Sequence, residues 1–100
     1  MNKGYWVAHV DVHDAQVYEK YRQANAEPFA AFGARFLVRG GPQDVREGQQ
    51  RSRTVVIEFP SLAQAIACYE SEAYQRAKDI RAAVSEGDMV IIEGYTPEAP

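Results

Sequence analysis

Apolar residues recur along this chain with two different periods, and the order of these periods predicts its strands and helices. Four short segments rich in β-branched and aromatic residues predict strands over residues 5–12, 34–39, 53–59 and 89–95. Between the first two, and again between the last two, apolar residues recur at the spacing of a helix. The pattern therefore predicts the order strand, helix, strand, strand, helix, strand.

Capping residues and helix breakers predict where the helices begin and end. Asp14, Ser61 and Ser71 have the side chains of good N-caps, so we expect a helix to begin directly after each of them. Pro28 interrupts the first helical pattern and predicts a restart just before it, because proline lacks an N–H. Gly33 is expected to end that helix in the left-handed conformation.

The end of the chain is predicted in the same way. The helix that begins after Ser71 is expected to include Val84, since the apolar spacing continues that far. Gly87–Asp88 then predicts a turn, and the fourth strand is expected to begin at Met89.

This order matches the α+β, ferredoxin-like βαββαβ unit, in which right-handed crossovers place both helices on one face of a four-stranded antiparallel sheet. The other face would then be bare. It would carry Val7, Val56 and either Met89 with Ile91 or Val90 with Ile92. Because an apolar face of this size is unfavourable in water, we expect a homodimer formed through the sheet.

Length and composition limit the classes of function. One hundred residues predict a single domain, 1–100. Eleven basic and 14 acidic residues give a net charge of −3, which disfavours nucleic acid and anionic membranes as partners. The N-terminal segment lacks the apolar stretch of a signal peptide, so a cytoplasmic location is expected. The single cysteine, Cys68, falls in a helical pattern and is expected to be a packed, inert thiol.

Five ionisable residues interrupt the predicted strands, namely His9, Asp11, Arg39, Glu58 and Glu93. The first and third strands are neighbours in the predicted sheet, so His9 and Glu58 are expected on the face opposite the helices. A histidine within reach of a carboxylate can act as a catalytic base that its partner orients. The structural alternative is that His9 makes one hydrogen bond and Glu58 pairs with Arg39 or Arg53.

A candidate ligand site is suggested by Arg39 and four tyrosines. Arg39 precedes Gly40–Gly41, which indicates either a small anion site or simply a hairpin turn. The tyrosines of the predicted helices are Tyr18, Tyr21, Tyr69 and Tyr74. With Trp6 they would either line a pocket for a planar ligand or pack in the core.

Metal and cofactor sites are not expected. His9 and His13 are four residues apart, and in a strand their side chains would be about 13 Å apart, too far to share an ion. Neither a dinucleotide-binding nor a phosphate-binding glycine motif is present in the sequence. Ser61 and Ser71 are explained by helix capping, so no nucleophilic serine is assigned.

Four segments of the chain, taken together, form a specific pattern: YWVAHVDVHD, FGARFLVRGG, RTVVIEFPS and GDMVIIEGY, with residues 25–28, Tyr69, Ser71, Tyr74 and Arg81. In this pattern the sequence resembles the small bacterial family called domain of unknown function 1330. The resemblance implies a ferredoxin-like fold of the dimeric alpha-beta barrel type, similar to cofactor-free monooxygenases. It implies no particular activity.

Two hypotheses of function follow. In the first, the protein binds a small planar organic ligand between the sheet and the helices, and Arg39 or His9 contacts the polar end of that ligand. The reaction would then be cofactor-free proton transfer or monooxygenase-like chemistry. In the second, it is a non-catalytic structural or regulatory dimer whose strand charges form ion pairs across the interface. The second hypothesis predicts that no cavity large enough for a ligand is present.

Overall fold

The computed structural model describes residues 2–97, which form four strands and four helices. The elements are β1 (Gly4–Val12), α1 (Ala15–Ala24), α2 (Ala26–Ala31), β2 (Arg35–Arg39), β3 (Arg53–Phe59), α3 (Leu62–Glu70), α4 (Glu72–Ala82) and β4 (Ser85–Glu93). No helix among these is long and apolar enough to span a bilayer.

The strands form one antiparallel sheet in the order β2-β3-β1-β4. Side chains of β1 and β3 alternate between the two faces, and Trp6, Val10, Val55, Ile57 and Phe59 all point to the face that the helices cover. Both helical segments are interrupted where the sequence predicted, since α2 restarts at Ala26 just before Pro28 and α4 begins directly after Ser71. The α+β, ferredoxin-like βαββαβ fold is confirmed.

Aromatic rings fill the core between the sheet and the helices. The ring of Trp6 lies 5.1 Å from that of Phe59 and 4.8 Å from that of Tyr74, measured between centroids. Its indole N–H donates a 2.8 Å hydrogen bond to the carbonyl oxygen of Ala65 in α3. Because a buried indole needs a polar partner, this bond fixes β1 against α3.

The predicted helix starts are confirmed by their hydrogen bonds. Asp14 Oδ1 accepts from the amides of residues 16 and 17 at 3.1 Å, and Ser61 and Ser71 accept from the amides of residues 64 and 74. Pro28 lies in the first turn of α2, where a backbone N–H would have no acceptor within the helix, so proline is tolerated there. Gly33 follows α2 with φ of 72°, the left-handed conformation that favours glycine.

The predicted boundary between the last helix and the last strand was wrong. α4 ends at Ala82 and excludes Val84, and β4 begins four residues before Met89, so Gly87–Asp88 is part of the strand. Pairing with the nine-residue β1 extends β4 in this direction. A Cβ atom on Gly87 would lie 2.8 Å from the carbonyl oxygen of His9, so the glycine serves a close approach of two strands.

Cys68 is fully buried in α3, as expected. Its Sγ lies 3.8 Å from the carbonyl oxygen of Pro28, and burial raises the pKa of the thiol to about 12. Because the thiolate is the reactive form, this environment disfavours a nucleophilic role.

The sheet face away from the helices is partly apolar. The strand register places Val7 between Val56 of β3 and Val90 of β4 on this outer face. Ile92 also lies there, whereas Met89 and Ile91 face the helices, which decides between the two sets that the sequence allowed. Val90 and Ile92 each retain 51% of their accessible surface.

Candidate ligand-binding cavity

A cavity of about 480 Å³ lies between the helices and the inner face of the sheet. Its deep part is aromatic and includes Trp6, Phe29 and Tyr74, each at most 5% exposed. Its basic lining residues are more exposed and are Arg22, Arg39, Arg53, Lys78 and Arg81. The cavity therefore combines an apolar floor with positive charge nearer to solvent.

The aromatic floor is built from rings on different elements. Tyr74 of α4 stacks on Phe29 of α2 with centroids 5.8 Å apart and planes 24° apart. Tyr69 of α3 lies 5.6 Å from Tyr74 and 5.8 Å from Trp6. Rings in these arrangements support one another and present flat apolar surface to the cavity.

A hydrogen-bonded group joins the two inner tyrosines to a cation. The hydroxyl oxygens of Tyr21 and Tyr74 are 2.9 Å apart, and Arg81 Nε donates to the Tyr74 hydroxyl at 3.4 Å. Burial is the main cause that raises the pKa of Tyr74, so this phenol is neutral and retains its proton. The two hydroxyls have two protons, and one of them is used in the bond between the tyrosines. Because Arg81 is the donor in its bond to Tyr74, the second hydroxyl proton is available for a ligand oxygen.

Arg39 reaches the cavity because β2 contains a β-bulge. The pairing with β3 shifts between Phe36 and Val38, which leaves Leu37 as an extra residue. In a regular strand Phe36 and Arg39 would point to opposite faces. The bulge places both on the inner face, and the Arg39 guanidinium carbon lies 4.0 Å from the centroid of the Phe36 ring.

Arg53 lies at the start of β3 and is packed against Gly40. A Cβ atom at Gly40 would overlap the Arg53 guanidinium, with Cζ only 2.6 Å away. Gly40 has φ of 72°, and its amide donates a 2.9 Å hydrogen bond to the carbonyl oxygen of Thr54. The glycine therefore follows β2 in the left-handed conformation and also leaves space for the guanidinium.

The acidic and amide groups of the lining are few. Asp88 is the one acidic residue among the lining residues of the described chain, and one of its carboxylate oxygens lies 3.0 Å from Arg51 Nε. Asn25, between α1 and α2, is 4% exposed and lines the cavity. Its side chain makes no capping hydrogen bond, even though it occupies the N-cap position of α2.

Sequence comparison identifies the family. The sequence profile of the family described as domain of unknown function, DUF1330, matches residues 3–95. The chain belongs to the DUF1330 family. The comparison with curated proteins found no match.

Solved structures share the fold of this DUF1330 chain. A protein of unknown function from Rhodopseudomonas palustris superposes with a TM-score of 0.78 at 16% identity, covering 96% of this chain and 85% of its own. SnoaB, a cofactor-independent oxygenase from Streptomyces nogalater, gives 0.63 at 14% identity and covers 97% of both chains. A dimeric ferredoxin-like protein of unknown function from Thermobifida fusca gives 0.61 at 16%, with 92% and 91% covered. At these identities the similarity establishes the fold alone.

All five residues predicted to bind a ligand line the cavity of this DUF1330 protein, namely Arg39, Tyr18, Tyr21, Tyr69 and Tyr74. They come from four elements, and only the folded chain brings them together. The second hypothesis, a purely structural dimer, predicted that no such cavity is present, and the cavity counts against that prediction. Ligand binding by these five residues remains a prediction.

The predicted catalytic pair does not form within the chain. His9 and Glu58 share the outer face, but His9 is opposite Thr54 whereas Glu58 is opposite Tyr5, which precedes His9 by four residues on β1. Strand geometry separates positions four residues apart by about 13 Å. His9 Nδ1 lies 3.2 Å from the Thr54 hydroxyl, and neither His9 nor Glu58 lines the cavity. His9 and Glu58 lie on the same face, as predicted, but the strand register keeps them too far apart for Glu58 to orient His9 within one chain.

Glu58 has a different set of partners from those expected. It accepts a 2.9 Å hydrogen bond from the Tyr5 hydroxyl and lies 3.7 Å from Arg35 Nε. Hydrogen bonding to Glu58 is the main cause that raises the pKa of Tyr5. The structural alternative for Glu58 is thus supported, but with Arg35 as the cation instead of Arg39 or Arg53.

Several cavity residues were not predicted, namely Arg22, Asn25, Arg53, Lys78 and Arg81. Helical periodicity contained a signal for two of them, since Arg22 follows Tyr18 by four residues and Arg81 follows Tyr74 by seven. Arg53 lies an even number of residues before the buried positions of β3, Val55, Ile57 and Phe59, which also indicated an inward position. Asn25 gave no such signal.

Proposed function

We propose that this DUF1330 protein binds a small planar aromatic molecule in the cavity between its sheet and helices. The observation that carries the proposal is a space of about 480 Å³ lined by aromatic rings and a few polar groups. Cavities of about 300–1,000 Å³ with mainly apolar walls are typical of small-molecule sites. The tyrosine hydroxyls and Asn25 provide the polar groups that would orient such a ligand.

The single tryptophan provides a direct test of binding. Trp6 lies at the cavity floor, so its indole N–H gives one nitrogen–proton NMR resonance that reports on that site. Titration with neutral 2-naphthamide is expected to shift this resonance saturably and to raise the melting temperature. An unchanged resonance up to the solubility limit of the probe would contradict the proposal.

A matched pair of variants localises the binding. Ala8 lines the cavity from β1, so Ala8→Phe is expected to fill part of the space and abolish the titration. Ala67 is exposed on α3, and Ala67→Phe adds the same ring outside the cavity. Equal binding by the two variants would place the probe elsewhere on the surface.

Cofactor-free proton-transfer or monooxygenase-like chemistry is a second candidate function. The basic lining favours it, because guanidinium groups stabilise the anion that forms when a bound molecule loses a proton. SnoaB, whose fold is similar, is named as a cofactor-independent oxygenase. The one acidic residue of the lining in residues 2–97, Asp88, lies opposite His9 and directs its carboxylate to the outer face, so the proton would pass to solvent.

The test of this second function uses 2-tetralone, a ketone with acidic C–H groups. Exchange of these protons in D₂O, followed by NMR, is expected to be faster with the wild type than with Ala8→Phe. Oxygen uptake measured with an electrode reports the monooxygenase-like branch. If neither rate exceeds that of Ala8→Phe, the cavity is a binding site only.

A further inference from the structure

We propose that the ligand is an aromatic carboxylate, and that Arg22, Arg39 and Arg53 together bind its carboxylate group. This inference rests on the proposed function and names the class of ligand. The three residues are called the arginine cluster below. They come from α1, the bulged strand β2 and the start of β3, and all three line the cavity.

The arginine cluster gathers like charges that the chain does not fully neutralise. Burial, followed by the charges of Arg22 and Arg53, lowers the pKa of Arg39, so both neighbouring guanidinium groups oppose its positive charge. Arg22 has one partner, Glu19, at 3.2 Å. Among residues 2–97, Arg39 and Arg53 form no salt bridge. A bound anion would relieve this repulsion.

Two donors of the cluster are buried without a partner. The Nε atoms of Arg22 and Arg53 are both inaccessible and form no hydrogen bond within the described chain. A buried N–H that lacks an acceptor costs free energy, so such groups in a folded protein need an explanation. A ligand that approaches the guanidinium groups and supplies acceptors would reduce that cost. A carboxylate suits this role because its two oxygens match the fork of a guanidinium.

Within residues 2–97, the lining of the cavity supplies no carboxylate to the arginine cluster. Asp88 is bonded to Arg51 at 3.0 Å and is the one acidic residue of the lining in residues 2–97. The aromatic floor next to the cluster favours an anion attached to a ring over an inorganic ion. Asn25 is 4% exposed, lines the cavity and makes no capping hydrogen bond to α2, so its amide is placed to meet a second polar group of the ligand.

Two probes of the same shape test the charge preference. 2-Naphthoate carries a carboxylate where 2-naphthamide carries a neutral amide. Calorimetric titration of the wild type at low salt is expected to show at least tenfold tighter binding of the naphthoate. The naphthoate affinity is expected to fall as sodium chloride is added, whereas the amide affinity changes little, because salt screens only the charged pair. Inorganic phosphate at the same concentration is not expected to displace the naphthoate.

Variants assign the preference to the cluster. Arg39→Gln and Arg53→Gln are each expected to weaken 2-naphthoate binding far more than 2-naphthamide binding, and so to remove most of the tenfold preference. The matched control is Arg76→Gln on the exposed side of α4, where the arginine pairs with Glu72, and it is expected to bind both probes like the wild type. The melting temperature of the ligand-free Arg39→Gln protein is expected to be unchanged or higher, because the substitution relieves repulsion.

The outcomes separate this inference from the function on which it rests. If the wild type binds both probes equally, the carboxylate assignment is wrong and the proposed function stands. If it binds neither probe, both are wrong. If naphthoate is preferred but Arg39→Gln and Arg53→Gln retain the preference, the arginine cluster is not the carboxylate site.

Discussion

Replacing Gly4 by alanine is expected to lower the free energy of unfolding by about 1–3 kcal/mol, the usual cost of overpacking a well-packed site. A Cβ atom on Gly4 would lie 2.5 Å from the carbonyl oxygen of Ser61 and 2.7 Å from the Cα atom of Leu62. Both contacts involve backbone at the start of α3, which cannot rotate away as a side chain could. For a chain of this size the melting temperature should fall by roughly 4–8 °C per kcal/mol.

Gly41→Ala is the matched control. No atom lies within 4 Å of the Cβ position at Gly41, and Gly41 is not among the glycines with positive φ. The same substitution there is expected to leave the melting temperature unchanged or slightly higher, since alanine reduces the entropy of the unfolded chain. Similar melting of the two variants would contradict the close packing of β1 on α3.

This packing also affects the cavity. β1 provides Trp6 and α3 provides Tyr69, and the two rings are 5.8 Å apart in the cavity wall. A shift of α3 away from β1 would separate them. We therefore expect any folded fraction of Gly4→Ala to bind 2-naphthamide less tightly than Gly41→Ala does.

Local chemistry made most of the fold predictable from the sequence. Capping requires only a side-chain oxygen next to free backbone amides, so Asp14, Ser61 and Ser71 could be assigned without tertiary information. Pro60 directly follows β3 and lacks the N–H that a strand ladder requires, so the end of that strand has an equally local cause. The beginning of β4 was not predictable in this way, because the ladder with β1 overrides the turn preference of Gly87–Asp88.

The site was less predictable than the fold because it depends on strand register. Periodicity correctly placed His9 and Glu58 on one face, but the register that separates them is a property of the whole sheet. Arg39 was predicted as a ligand-binding residue because Gly40 and Gly41 follow it. It reaches the cavity through a bulge at Leu37, which no local feature of the sequence indicated. That Arg39 lines the same cavity as Arg22 and Arg53 could be seen only in the folded chain.

Val7→Asp is expected to convert a dimer into monomers without unfolding the chain. Val7 lies at the middle of the apolar outer face, with Val56 and Val90 as its neighbours. If this face is the dimer interface, a two-fold axis brings two copies of the new carboxylate into it, and an unpaired buried charge costs about 3–5 kcal/mol. The dimer dissociation constant should therefore rise by at least about a hundredfold. Light scattering after gel filtration measures the mass, and circular dichroism checks the fold.

Val45→Asp is the matched control for this prediction. Val45 is 46% exposed in the segment between β2 and β3, so the same change there adds a carboxylate away from the sheet. It is expected to leave the mass unchanged. A wild type that is monomeric at micromolar concentration, or a Val7→Asp protein that remains dimeric, would contradict association through the outer face. Because the cavity lies on the opposite side of the sheet, monomeric Val7→Asp should still bind 2-naphthamide, which separates assembly from ligand binding.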